Sequence, residues 1–235
     1  MIPLVSLSNS FNTLVTLFIA LRLIARVRKQ SSDGLWYLSA FYVFLTGWWA
    51  FRAMPGFLVT NPMAVMATNL ISYVLLYAAT SSLLQVPFYF LNRREWGVIL
   101  GILNIVAGIV FVIGRMFNFA PHLPVEVPPF IFWPETYPEW LRLINGLSTL
   151  TALGLFIGIF FFLGLRERAN PVVYNRSMHL AVGMFLLLIA ASAFFVFSAG
   201  GFLSSVVSSS FCAAGLFLVY RGVAYESAGS ESNNI

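Results

Sequence analysis

Long apolar runs alternate along this chain with short polar gaps. Seven runs stand out, at approximately 8–28, 36–57, 62–91, 97–118, 139–165, 176–198 and 200–222, each near the roughly 20 apolar residues that a membrane-spanning helix needs. Within the runs, apolar side chains fall on every side, as in the stretch from Leu155 to Leu163. A transmembrane strand would instead alternate with period two over about ten residues. The pattern predicts an all-α integral membrane bundle of seven transmembrane helices over residues 1–223, with a short disordered cytoplasmic tail at 224–235 rich in Ser, Gly, Glu and Asn. Pro87, near the end of the long third run, predicts a kink or an early stop there.

The gaps carry the orientation, because Lys and Arg accumulate on the cytoplasmic side of short loops. The first gap holds Arg26, Arg28 and Lys29, the third Arg93 and Arg94, the fifth Arg166 and Arg168 with Arg176 just after it, and the tail follows Arg221; the second, fourth and sixth gaps hold no Lys or Arg. With seven spans this places the N-terminus outside and the C-terminus in the cytoplasm, in a plasma membrane. Met1 to Ser10 lack any basic residue while Arg22 to Lys29 follow the first run, which is the pattern of a reverse signal anchor, not of a cleaved leader.

The fourth gap differs in kind. Pro121, Pro124, Pro128, Pro129, Pro134 and Pro138 lie within it, more than half of the 11 prolines in the chain, together with Phe130, Phe132, Trp133, Tyr137 and Trp140. Proline removes helical hydrogen bonds and the rings favour the headgroup layer. A stiff extended loop anchored on the outer face is expected, with a lid over a pocket as the alternative.

Composition narrows the chemistry. The 235 residues are 60% hydrophobic and 9% charged, with mean hydropathy +0.88, against about 25% charged in a soluble domain. One cysteine allows no internal disulfide, and two histidines make no metal cluster, so no cofactor or metal is expected. The net charge of +5 is scattered over the gaps and marks topology, not a nucleic-acid surface.

All eight acidic residues fall in gaps, at span ends or in the tail, which argues against a carboxylate-driven pump. The sole lysine, Lys29, is in a gap, so no retinal Schiff base can form inside the bundle. His179 lies at a helix end, His122 in the proline-rich loop without a constellation, and Cys212 has no basic neighbour to activate it. The serines Ser204, Ser205, Ser208, Ser209 and Ser210 have no base beside them. The chain is not expected to be an enzyme.

Polar residues inside the runs concentrate toward the predicted outer half: Asn9, Asn12, Thr13 and Thr16, then Arg52, Asn69, Ser72, Arg115, Asn118, Arg142, Asn145, Ser148, Thr149 and Thr151. A guanidinium facing lipid at the bilayer centre costs roughly 2.5–3.5 kcal/mol on insertion scales, so several should turn inward. Arg52, Arg115 and Arg142, each near the outer end of a different helix, together with Asn12, Asn69 and Asn145, are the candidate ligand-binding residues of an outward-facing polar cavity. Snorkelling, or pairing with Glu126, Glu135 or Glu139, is the alternative for each arginine.

Gly97 with Gly101, Gly154 with Gly158, and the face carrying Ser205, Ser209 and Ala213 are small-residue packing signals. They serve either the bundle or a homodimer. A weak repeat relates the first two spans to the fifth and sixth, each pair having a basic gap and ending at Gly-Phe-Leu, at Gly56 and at Gly201.

The basic first gap, Trp48-Trp49, the proline- and aromatic-rich fourth gap leading into Trp140, and the exit at Tyr220-Arg221 together give a pattern that resembles the seven-helix N-terminal membrane sensor regions of bacterial and archaeal histidine kinases. The resemblance implies a bundle that senses a signal and passes it to an output domain. Here no kinase follows Arg221, so a sensor would act through a separate cytoplasmic or membrane partner. The expected function is a sensor or receptor-like protein binding a small molecule in the outward-facing cavity. A facilitative carrier, using Tyr77, Thr80, Ser81, Ser82 and Gln85, and a structural subunit of a membrane complex are the alternatives.

Overall fold

The computed structural model describes residues 1–30, 32–136, 138–196 and 202–230, without the side chains of 193–196, 202–205 and 226–230. Tyr137, Gly201 and the side chains of Ser204 and Ser205, all named above, lie outside the described residues. Seven helices form within them: α1 (Leu4–Val27), α2 (Asp33–Ala53), α3 (Pro62–Phe90), α4 (Arg94–Phe117), α5 (Glu139–Arg166), α6 (Pro171–Val196) and α7 (Phe202–Ser230). A two-stranded hairpin, β1 (Val125–Val127) with β2 (Phe130–Phe132), interrupts the loop between α4 and α5.

Local chemistry sets several ends. Asn61 accepts the Met63 and Ala64 N–H groups at 2.9 and 3.4 Å with Pro62 at the first helical position, and Asn170 does the same for Val172 and Val173 ahead of Pro171. Pro87 falls in the last turn of α3, which ends three residues later at Phe90. α7 continues to Ser230, past the boundary expected at residue 223.

Six of the helices are long and apolar enough to cross a membrane; α2 is the one that is not. Its sequence carries Trp36, Tyr37, Ser39, Tyr42, Thr46, Trp48 and Trp49, residues of modest hydropathy. The packing explains why this is tolerated: along α2 only Asp33, Trp36 and Val43 are exposed, so neighbouring helices take the place of lipid.

Sequential neighbours pack together around the bundle, and α7 returns to α1. α3 also meets α5 directly, so the ring closes through α1, α2, α3, α5, α6 and α7 while α4 lies in the outer groove between α3 and α5. α4 accordingly buries only a narrow stripe, Gly97, Gly101, Asn104, Gly108, Phe111, Gly114 and Arg115. Gly97 and Gly101 admit the Gln85 side chain, Gly108 admits the Tyr77 ring and Gly114 the Trp140 ring. The expected small-residue contact at Gly97 and Gly101 is therefore made inside the bundle. A Cβ at Gly154 or Gly158 would meet nothing within 4 Å.

One close helix crossing, between α6 and α7, has no counterpart among the small-residue signals named above. At Gly183 of α6 and Gly215 of α7 an added Cβ would lie 2.7 and 2.6 Å from the opposite glycine's carbonyl oxygen, so the two backbones touch. The main core runs from Ile19 and Leu23 through Leu38, Tyr42 and Leu45 to Phe156, Met184 and Leu216.

Candidate functional site

The bundle has a basic end, with the loops carrying Arg28, Arg93 and Arg168, and a hairpin end, where the 54–61 and 118–136 segments lie. At the hairpin end the proline-rich loop does more than rest on the surface. His122 is 2% exposed, and Glu135 is buried beside the C-terminal turn of α2. Its backbone is also stitched to the chain's start: Ile2 donates to Pro129 at 2.9 Å and Ile131 donates to Ile2 at 3.1 Å. Trp133 sits on Gly56, whose φ of +82° and lack of Cβ allow the ring to approach. The loop thus packs its side chains into the hairpin end of the bundle, beyond the surface contact that an anchor alone requires.

Two of the three arginines singled out from sequence are held by this loop. Arg52 forms a buried ion pair with Glu135, and the guanidinium lies 5.6 Å from the Trp48 ring and 5.9 Å from the Tyr73 ring. The Tyr73 hydroxyl donates to the other Glu135 oxygen at 2.6 Å. Arg115 is fully buried and donates to the Thr136 carbonyl at 2.8 Å and to His122 Nε2 at 3.0 Å, with the Met66 sulfur 3.2 Å away. Because arginine can only donate, His122 Nε2 must be an acceptor and the ring is the neutral Nδ1–H tautomer. His122, expected to have no constellation, is thus a member of a buried ionic cluster.

Electrostatics agree with that geometry. Burial pushes the Glu135 carboxyl up, but Arg52, His122, the Tyr73 hydroxyl and Arg115 outweigh it, leaving it below the usual carboxylate value. His122 is held below its usual value chiefly by burial, with Arg115 and Arg52 adding to this against the opposing pull of Glu135 and the Pro134 backbone. Two guanidinia, one carboxylate and a neutral imidazole leave the cluster with one net positive charge, but Arg52 is paired with Glu135 and Arg115 is bonded to Thr136 and His122, so the three guanidinia do not converge on an open anion site. Arg142 is exposed and takes no part. What remains between Arg52, Asn69, Asn9, Trp133 and Glu135 is a void of about 30 Å³. The Asn9 amide is already spent on the Arg52 carbonyl at 2.9 Å.

The larger space lies deeper on the bundle axis, between α2, α3, α5, α6 and α7. This cavity, of about 90 Å³, is bordered by Trp48 and Trp49, Leu45 and Leu83, Asn145 and Thr149, Leu187, and Ser208 with Cys212. Its wall is apolar apart from a few groups. The Ser208 hydroxyl is satisfied by the Ala190 carbonyl at 2.7 Å. The Asn145 amide is not: the residue is fully buried, and neither its nitrogen nor its oxygen has a hydrogen-bond partner. The indole nitrogens of Trp48 and Trp49 are likewise buried and unbonded. Asn12 is fully buried with both amide atoms unbonded too, but it does not border this cavity.

Of the polar groups of α3 that a carrier path would use, Thr80, Ser81 and Gln85 are bonded to α4, while the Ser82 hydroxyl donates to the Ala78 carbonyl of its own helix at 2.9 Å. Asn104 Nδ2 donates to Thr80 and Ser81 hydroxyls at 2.8 Å each and to the Tyr77 carbonyl at 3.1 Å, while Ser148 donates to Asn104 Oδ1. Gln85 donates to the Gly97 carbonyl at 2.9 Å. Asn104 escaped the sequence reading; its spacing from Gly97, Gly101 and Gly108 on one helix face is the signal that could have found it. No family model matches this chain, and no curated protein matches it in sequence.

Proposed function

We propose that the chain spans a plasma membrane seven times, hairpin end outside and C-terminus in the cytoplasm, and acts as a receptor-like protein for a small uncharged carbonyl compound bound in the axial cavity. The seventh span is α2, which runs between two helices that are themselves long and apolar enough to cross. The basic gaps at the opposite end support the orientation.

The observation that carries the ligand reading is the Asn145 amide, unbonded beside a cavity. An unmet buried amide costs about 1–3 kcal/mol, and such a group persists in natural proteins for a reason, commonly a missing partner. With the Trp48 and Trp49 indole N–H groups the wall is rich in donors, so a carbonyl oxygen is the complementary group, and the leucine and tryptophan surfaces suit an apolar body. A guest there touches α2, α5, α6 and α7 together, and so biases the packing that positions their basic ends for a cytoplasmic or membrane partner.

Cyclohexanone and its carbonyl-free shape analogue methylenecyclohexane separate the elements of this reading. Thermal unfolding of purified protein should rise with cyclohexanone, rise less with the hydrocarbon, and lose the difference in Asn145→Leu. Equal shifts by both compounds, no shift by either, or a full cyclohexanone shift in Asn145→Leu would overturn it.

A further inference from the structure

We infer that the cleft between α1 and α7 at the basic end binds the phosphate of an anionic lipid headgroup. Arg22, Arg26 and Lys29 follow one another along α1 and its exit, and all three line a cleft of about 390 Å³ closed on the other side by Tyr220 and Ala224 of α7. Among the described residues no carboxylate lines it. Arg26 is pinned across the cleft floor by its hydrogen bond to the Val223 carbonyl at 2.6 Å. The Arg26 carbonyl accepts from the Lys29 and Gln30 N–H groups, at 3.0 and 2.9 Å, so it is not left to repel an anion. Ala25 and Ala224 contribute only methyl groups to the lining, which leaves the gap open.

The cleft is amphipathic in the sense a lipid requires. Below the cations, the exposed face of α1 continues as Leu21, Phe18 and Leu14, and Arg22 lies over the Phe18 ring at 5.3 Å. A headgroup phosphate between Arg22, Arg26 and Lys29 would leave its acyl chains on that apolar face. Basic pockets between helices at the cytoplasmic side are built for such headgroups, each cation strengthening attraction to an anionic leaflet. A free phosphate satisfies the cations but has no use for the apolar face.

The test is retention of phosphatidylglycerol by protein released from phosphatidylcholine–phosphatidylglycerol bilayers, followed by native mass spectrometry. The wild type should keep phosphatidylglycerol, and the Arg22→Gln/Lys29→Gln double variant should bind it on the order of tenfold more weakly. Ala25→Trp, which fills the cleft without removing a charge, should lose it as well, and Arg168→Gln, on an exposed residue at the same end, should not. Undiminished retention in the double variant or in Ala25→Trp, an equal loss in Arg168→Gln, or displacement of the lipid by inorganic phosphate would overturn the assignment.

Discussion

The Arg52 guanidinium and the Glu135 carboxylate meet with side chains only 8% and 9% exposed, joining the end of α2 to the loop that precedes α5. The pair is covered by the Trp48 and Tyr73 rings and shared with the Tyr73 hydroxyl. A buried pair of this kind adds little net stability over an apolar replacement, because removing two charges from water offsets their attraction. Its effect is on position: it fixes where the loop sits.

Breaking the pair from one side is therefore expected to cost more than deleting it. Glu135→Leu leaves Arg52 buried beside two rings and should lower stability by roughly 3–5 kcal/mol, whereas Arg52→Leu combined with Glu135→Leu should lose less than the two single changes added together. Thermal unfolding of the four proteins in one detergent measures the coupling. Strict additivity would show that the two charges do not interact.

Acid should loosen the same cluster in two stages. His122 and Glu135 both titrate below their usual values in the folded protein. The unfolded chain therefore binds more protons wherever they titrate, and stability rises with pH. The contribution is complete at neutral pH. It begins to fall as pH drops below the ordinary histidine value of 6.5 and falls again below the ordinary carboxylate value of 4.5. The unfolding midpoint followed against pH should show both descents, His122→Gln abolishing the first and Glu135→Gln the second. A midpoint that rises on acidification would contradict the sign.

Glycines on α6 and α5 should respond oppositely to a methyl group. Gly183→Ala places Cβ 2.7 Å from a backbone oxygen and 2.8 Å from a backbone nitrogen of α7, neither of which can rotate away, and should cost about 1–3 kcal/mol. Gly158→Ala meets nothing within 4 Å and should be neutral or gain up to about 1 kcal/mol from helix propensity. Denaturation in mixed micelles would rank them. A loss at Gly158 as large as at Gly183 would reveal a second chain packed on that face.

Helix positions were legible because lipid solvent demands long apolar runs, and each expected run has its helix. The exception in character, α2, was recognised as a run although its aromatic and hydroxyl content makes it the least lipid-like; what lets it be so is shielding by neighbours, which no local pattern records. The candidate site was legible in its residue types and not in their partners. Arg52, Arg115, Asn69 and Asn145 are buried as expected and Arg142 is not, since burial of Arg142 depends on a rotation of α5 that single-residue spacing leaves undetermined. Glu135 was one of three acids that the sequence offered each arginine as a partner; that it takes Arg52, and that Arg115 takes His122, is decided only when the proline-rich segment folds back. Gly183 with Gly215 was invisible for a similar reason: each is a lone glycine in its own helix, and only the crossing makes them a pair.

Trp48 and Trp49, with ring centroids 4.2 Å apart, border the axial cavity while Arg52 lies over the first of them. The molecule thereby contains its own optical reporter. A guest of the kind proposed would change the polarity around these indoles, and breaking the Arg52–Glu135 pair would alter the charge above Trp48. With the other four tryptophans replaced by phenylalanine, intrinsic emission would read both changes in one sample without any label.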